Sequence, residues 1–145
     1  MDIEVIEYID NSFKWLFEMH NFKSVEKINE GQSFLIELGS KEFVIALESY
    51  RREIYCTLSK KNDPELKINL FNLLDYFTKD NSNIARTNYF NQSYKKQIEY
   101  LSDVIYDNFT DISNFFNQDK LENRFAEIRE FIINKYPDLF KRVKK

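Results

Sequence analysis

Glycine and proline are almost missing from this chain: its 145 residues include 2 of each. That shortage excludes a glycine-rich phosphate loop, a collagen-like segment and a long flexible linker. A single cysteine, Cys56, excludes an internal disulfide and a cysteine-based metal site, and suits a reducing compartment. A single histidine, His20, leaves any Ser-His-Asp triad or histidine metal site resting on one side chain. The sequence contains no GxGxxG, GKS, GKT, HExxH or CxxC. No apolar run approaches the ~18 residues needed to span a membrane. The start, Met1-Asp2-Ile3-Glu4, lacks the basic flank of a signal peptide, so the expected compartment is the cytoplasm. Net charge is -3, the wrong sign for nonspecific nucleic-acid binding, and it leaves room for a basic partner.

Aromatic residues are plentiful, with 14 Phe and 9 Tyr. They supply enough bulk for a core, and a chain of this length buries about two thirds of its unfolded surface. One domain spanning 1–145 is expected, with a helix and a β-meander in 1–62 and a helical part in 63–145. The abundance of Asn, Lys, Ile, Phe and Tyr fits an AT-rich, bacterial genome.

The stretch from Ser33 to Ser59 organises the rest. Phe34, Ile36 and Leu38, then Phe43, Ile45 and Leu47, then Ile54, Cys56 and Leu58 alternate strictly, as strands with one buried face do. A two-residue turn at Gly39-Ser40 pairs Ile36 with Phe43 and Phe34 with Ile45. A four-residue loop Tyr50-Arg51-Arg52-Glu53, where no residue favours positive φ, pairs Leu47 with Cys56 and Ile45 with Leu58. A weaker edge strand over 22–29 precedes them. A three-residue loop at Glu30-Gly31-Gln32 sets Ile28 opposite Phe34, and a two-residue turn sets Lys27 there; the first is preferred. Lys23 and Lys27 suit an edge that must resist aggregation.

The flanks read as helix. Ile6, Ile9, Phe13, Leu16, Phe17 and His20 recur at helical spacing over 3–20. Asp63-Pro64-Glu65 has the chemistry of a helix start, with Leu66, Leu70, Leu73, Leu74 and Phe77 on one face. Lys79 to Asn83 reads as a mobile loop. Another helix runs from about Asn88 to about Asn108, with Tyr94, Ile98 or Gln97, Leu101, Val104, Ile105 and Phe109 inward. Ile112, Phe115 and Phe116 continue that face, in the same helix or after a kink near Thr110. Asp119-Lys120-Leu121-Glu122 reads as a capping box. It opens a last helix with Leu121, Phe125, Ile128 and Ile132 inward, ended by Pro137 before a basic tail. The fold expected is α+β: an N-terminal helix, a four-stranded antiparallel meander, then three to four C-terminal helices packed on one sheet face.

No catalytic, cofactor-binding or metal-binding constellation emerges. His20 at a helix end suits a capping or interface role, and Cys56 between Ile54 and Leu58 suits an inert core thiol. Two surfaces stand out. Glu99, Asp103, Asp107 and Asp111 recur every four residues and form an acidic ridge, either a solvated helix face or a docking ridge for a basic protein. The outward residues of the strands, among them Leu35, Glu37, Val44, Ala46, Glu48, Tyr55 and Thr57, are neither polar nor a core. They form either a solvated face with partial cover from the first helix or a partner surface centred on Tyr55 with acids at its rim.

The segments 34–48, 52–58 and 70–77, in a small, acidic, aromatic-rich chain ordered helix, meander, helices, resemble the small immunity proteins of bacterial polymorphic-toxin and contact-dependent inhibition systems. The resemblance covers the first half of the chain and carries over no individual site residue. It implies a non-enzymatic protein that binds and occludes a cognate toxin; separately, a monomer or homodimer is expected. The alternatives are a small enzyme whose site forms only in three dimensions and a homo-oligomeric scaffold subunit.

Overall fold

The computed structural model describes residues 3–30, 33–78 and 92–135. Two short helices, α1 (Ile3–Ser12) and α2 (Lys14–His20), lead into a meander of β1 (Lys23–Glu30), β2 (Ser33–Gly39), β3 (Phe43–Tyr50), β4 (Glu53–Lys60) and β5 (Asp63–Asn69). The helices α3 (Leu70–Thr78), α4 (Tyr94–Asp107), α5 (Phe109–Phe116) and α6 (Leu121–Lys135) follow. The fold is α+β. Its antiparallel sheet has five strands in sequence order, one more than the sequence suggests.

The alternating side chains all land on one face. Phe34, Ile36, Leu38, Phe43, Ile45, Leu47, Ile54, Cys56 and Leu58 are each 2% exposed or less. Burying a side chain of this size is worth about 1.5–3 kcal/mol, so this face is the thermodynamic centre of the molecule. The pairings divide sharply between hairpins. β3 and β4 pair as expected, Leu47 with Cys56 and Ile45 with Leu58. β2 and β3 do not: Leu38 faces Ile45 and Ile36 faces Leu47. The turn is centred on Lys41-Glu42, two residues beyond Gly39-Ser40. Each strand therefore slides by an even number of residues, which keeps every side chain on its expected face. The first hairpin also departs from expectation. Asn29, not Ile28 or Lys27, faces Phe34, and a bulge between Glu26 and Ile28 shifts the ladder.

The fifth strand replaces the expected helix start at Asp63-Pro64-Glu65. Ile68 pairs with Leu58 and Lys67 with Ser59. Pro64 is tolerated because this is an edge strand, where a missing N–H breaks no ladder. The sheet thus reaches Asn69, and the helical part begins at Leu70 rather than 63. The Asn69 side chain caps α3, its Oδ1 accepting from the Phe71 and Asn72 amides at 2.9 and 3.4 Å.

The N-terminal helix is broken at Phe13, and Asn21 in the left-handed conformation ends α2. The buried stripe is Val5, Ile9, Phe13 and Leu16; Ile6 and Phe17 are only partly buried. Trp15 Nε1 donates to Ser102 Oγ at 2.9 Å, and Ser102 Oγ donates to the Ser12 carbonyl at 2.5 Å. α1 and α2 are thereby fixed to α4 in the helical layer. Ser93 caps α4 by accepting from the Lys96 amide. The break after α4 falls at Asn108, close to the kink weighed near Thr110. The Lys60 ammonium donates to the Phe116 carbonyl at 2.9 Å, tying the end of α5 to the sheet. Lys120 has φ 58°, so it is not a helical residue and the capping box does not form in the expected register. The α6 stripe does hold: Leu121, Phe125 and Ile128 are buried, and Ile132 is partly buried. The expected loop at 79–83, the helix start near Asn88, Pro137 and the basic tail lie outside the described residues. Among the described residues no helix is long and apolar enough to cross a membrane.

Candidate docking surfaces

The helices pack on the side of the sheet that carries Phe34, Ile45 and Leu58. Among the described residues the other side has no second layer. The ladder places its side chains in cross-strand rows. One row runs Val25, Glu37, Ala46, Thr57, Asn69; the next runs Ile28, Leu35, Glu48, Tyr55. Leu35, Val44, Ala46, Tyr55 and Thr57 are half-buried by their neighbours on the sheet, and Glu48 is exposed. Glu37, Glu48 and Tyr55 therefore share one face. The first helix does not cover it. Only His20 and Asn21, at the end of α2, reach its rim, where they border a groove of about 820 Å³ with Lys23, Val25, Glu37 and Val44.

The electrostatics of this face are local. Glu37 stands 3.9 Å from the Lys27 ammonium, an exposed pair worth about 0–1 kcal/mol. The Tyr55 hydroxyl donates to Glu53 Oε2 at 2.6 Å. That hydrogen bond to a carboxylate, with partial desolvation, raises the phenol above its ordinary value of 10.0. At neutral pH Tyr55 is thus an apolar ring whose hydroxyl is already engaged. Its ring centre lies 6.3 Å from that of Tyr50, and the Arg51 guanidinium sits 5.1 Å over the Tyr50 ring. The corner of the face nearest the β3–β4 turn is therefore aromatic and contains both charge signs.

The acidic ridge lies elsewhere. Glu99, Asp103 and Asp107 run along α4, which packs on the covered side of the sheet. The sheet stands between them and Glu37, Glu48 and Tyr55, so the two candidate surfaces point in different directions. Asp111 falls beyond the break at Asn108, in the first turn of α5, where the helix dipole favours an acid. Asp103, Asp107 and Asp111 are exposed and Glu99 is half-buried.

No family model matches the chain, and neither a curated protein nor a solved structure matches it.

One buried polar residue of α4 serves the turn at Arg51-Arg52, which the sequence suggests as part of a four-residue loop. Gln97 is fully buried beside Ile98. Its Oε1 accepts from the Ile54 amide at 2.8 Å, and its Nε2 donates to the Arg52 and Gln92 carbonyls at 2.9 Å each. The helical spacing showed that Gln97 or Ile98 points inward; only the strand end beside it explains why a glutamine is tolerated there. His20 packs its ring 4.0 Å from that of Phe109 and 5.8 Å from that of Trp15, an aromatic interface. Burial pushes the Cys56 thiol up to about 12. Among the described residues no group of three His, Cys, Asp or Glu side chains is arranged to hold a metal ion.

Proposed function

We propose that this chain is a non-enzymatic protein-binding module, a bacterial immunity protein that neutralises a cognate toxin by direct contact. The observation that carries the reading is the sheet face left uncovered among the described residues: a half-apolar surface centred on Leu35, Ala46 and Tyr55, with Glu37 and Glu48 among them. A flat, partly apolar area with acids set within it suits a folded protein partner better than a small molecule, which needs a concave site. The net charge of -3 suits a basic toxin domain, with the acids steering its approach. The sheet face is preferred to the ridge, because the ridge is mainly charge, with exposed Tyr106 beside Asp103 and Asp107. One partner also cannot readily span both.

The test begins with the neighbouring gene. A toxin domain encoded beside this one is expressed with and without the chain, and cell growth is followed. Co-expression should restore growth. The pair Glu48→Lys and Tyr55→Ala should weaken binding by at least about tenfold, while Asp103→Lys with Asp107→Lys leaves it within about threefold. Loss of binding only in the ridge variant would move the docking site to α4, and no protection at all would remove the immunity reading.

A further inference from the structure

β1 is an eight-residue strand in which Asn29 is half-buried and every other residue is exposed. It occupies one end of the sheet and, among the described residues, pairs with β2 alone. Its exposed apolar residues are Val25 and Ile28, at 50% and 44%. They are three apart, and in an undisturbed strand they would point to opposite faces. The bulge between Glu26 and Ile28 changes that: Val25 pairs with Glu37 and Ile28 with Leu35, so both lie on the open face. Lys23 and Glu30 lie on that face too, paired with Gly39 and Ser33, while Ser24 and Asn29 face the other way, paired with Leu38 and Phe34.

We infer that this edge binds a second copy of the chain, β1 against β1, antiparallel about a two-fold axis between Glu26 and Lys27. Charge complementarity selects this occupant. The axis sets Lys23 against Glu30 of the second copy, Val25 against Ile28, Ser24 against Asn29, and Glu26 against Lys27. Every pair matches in chemistry, and the three outer pairs also match in face. Sliding the register by two residues in either direction removes every opposite-charge pair. The bulge is essential, because only its extra residue lets Val25 meet Ile28 on a common face. Lysines and bulges at an edge repel unrelated strands, yet here the same features are self-complementary. The interface is isologous and closes at two copies. It joins the two sheets into one and leaves both open faces on the same side. It does not depend on the toxin-binding reading.

Sedimentation velocity of the full chain over rising concentration is the test. The wild type should move from 17.6 kDa toward twice that mass. Lys23→Glu alone and Glu30→Lys alone each place like charges in register and should weaken association by about tenfold. Mixing these two variants restores opposite charges at both ends and should restore the dimer as a heterodimer. Both sites are exposed, so urea unfolding midpoints measured at a concentration where the wild type is monomeric should stay at the wild-type value. A wild-type chain that stays at 17.6 kDa throughout overturns the inference. So do single variants that associate as wild type, or a mixture that fails to recover.

Discussion

The two central hairpins invert what local turn chemistry suggests. Gly39-Ser40 has the residues of a tight turn and is not the turn. Gly39 pairs with Val44 as an ordinary strand residue, and the chain reverses at Lys41-Glu42. There the Ser40 hydroxyl accepts from the Glu42 and Phe43 amides at 3.1 and 3.3 Å. Arg51-Arg52 lacks turn residues and nevertheless forms a two-residue reversal. Tyr50 pairs with Glu53, and both arginines take positive φ, 52° and 68°. Left-handed backbone costs about 1–2 kcal/mol per non-glycine residue, but it matches the twist of the flanking strands. The difference lies in what holds each end. The loop at 40–43 is closed by its own serine. The arginine turn is held from outside, by buried Gln97 on the Ile54 amide and the Arg52 carbonyl.

The strongest way to probe the difference is chemical. Cys56 faces Leu47 in the ladder that the arginine turn closes. With its thiol raised from 9.0 to about 12, its thiolate at neutral pH is about a thousandfold scarcer than in the unfolded chain. A disulfide reagent at mild alkaline pH should label it slowly in the native protein and at once in urea; prompt native labelling would mean the ladder opens freely. The raised value also fixes a sign. Stability contributed by the protonated thiol is complete below 9.0 and is lost as pH rises through about 12.

Gln97→Ala is expected to cost about 3 kcal/mol in denaturant unfolding, because it removes the hydrogen bonds to the Ile54 amide and the Arg52 carbonyl. A cost below about 1 kcal/mol would show that the turn holds itself. Replacing both turn residues, Arg51→Asn with Arg52→Gly, should instead stabilise the protein by about 1.5 kcal/mol by relieving positive φ. A loss of stability would mean that the contact of Arg51 with Tyr50 outweighs that strain. The smallest effects fall in the other hairpin. Ser40→Ala should cost about 1 kcal/mol. Gly39→Ala should change stability by less than about 0.5 kcal/mol. A Cβ on Gly39 would meet Val44 Cγ2 at 3.6 Å, ordinary contact, whereas a glycine-dependent turn at Gly39-Ser40 would make that substitution costly.

The same contrast explains how much of the fold was legible. Alternation from Phe34 to Leu58 identified the buried face without error, because side chains alternate faces along any strand. It could not identify the β2–β3 register, since an even slide preserves every face. Asp63-Pro64-Glu65 has genuine helix-start chemistry, and Leu66 and Leu70 fit a helical face as well as a strand. The open edge of β4 decided the matter by offering Thr57 to Ser59 a ladder to Asn69, Ile68 and Lys67. At the candidate surfaces, spacing alone grouped Glu99, Asp103, Asp107 and Asp111, and the break at Asn108 divides them. Glu37, Glu48 and Tyr55 share a face as their parity required.

By itself the sequence determined the α+β class, the strands β1 to β4, which side chains of β2 to β4 face the core, and the shortage of residues for familiar catalytic motifs. Those properties follow from local periodicity and from composition, which need no partner element to act. Tertiary structure decided the register of the first two hairpins, the fifth strand, the burial of Gln97, and the separation of the acidic ridge from the open face. Each depends on hydrogen bonds or packing between segments distant in the chain, and those energies exceed the preference of any single turn or cap.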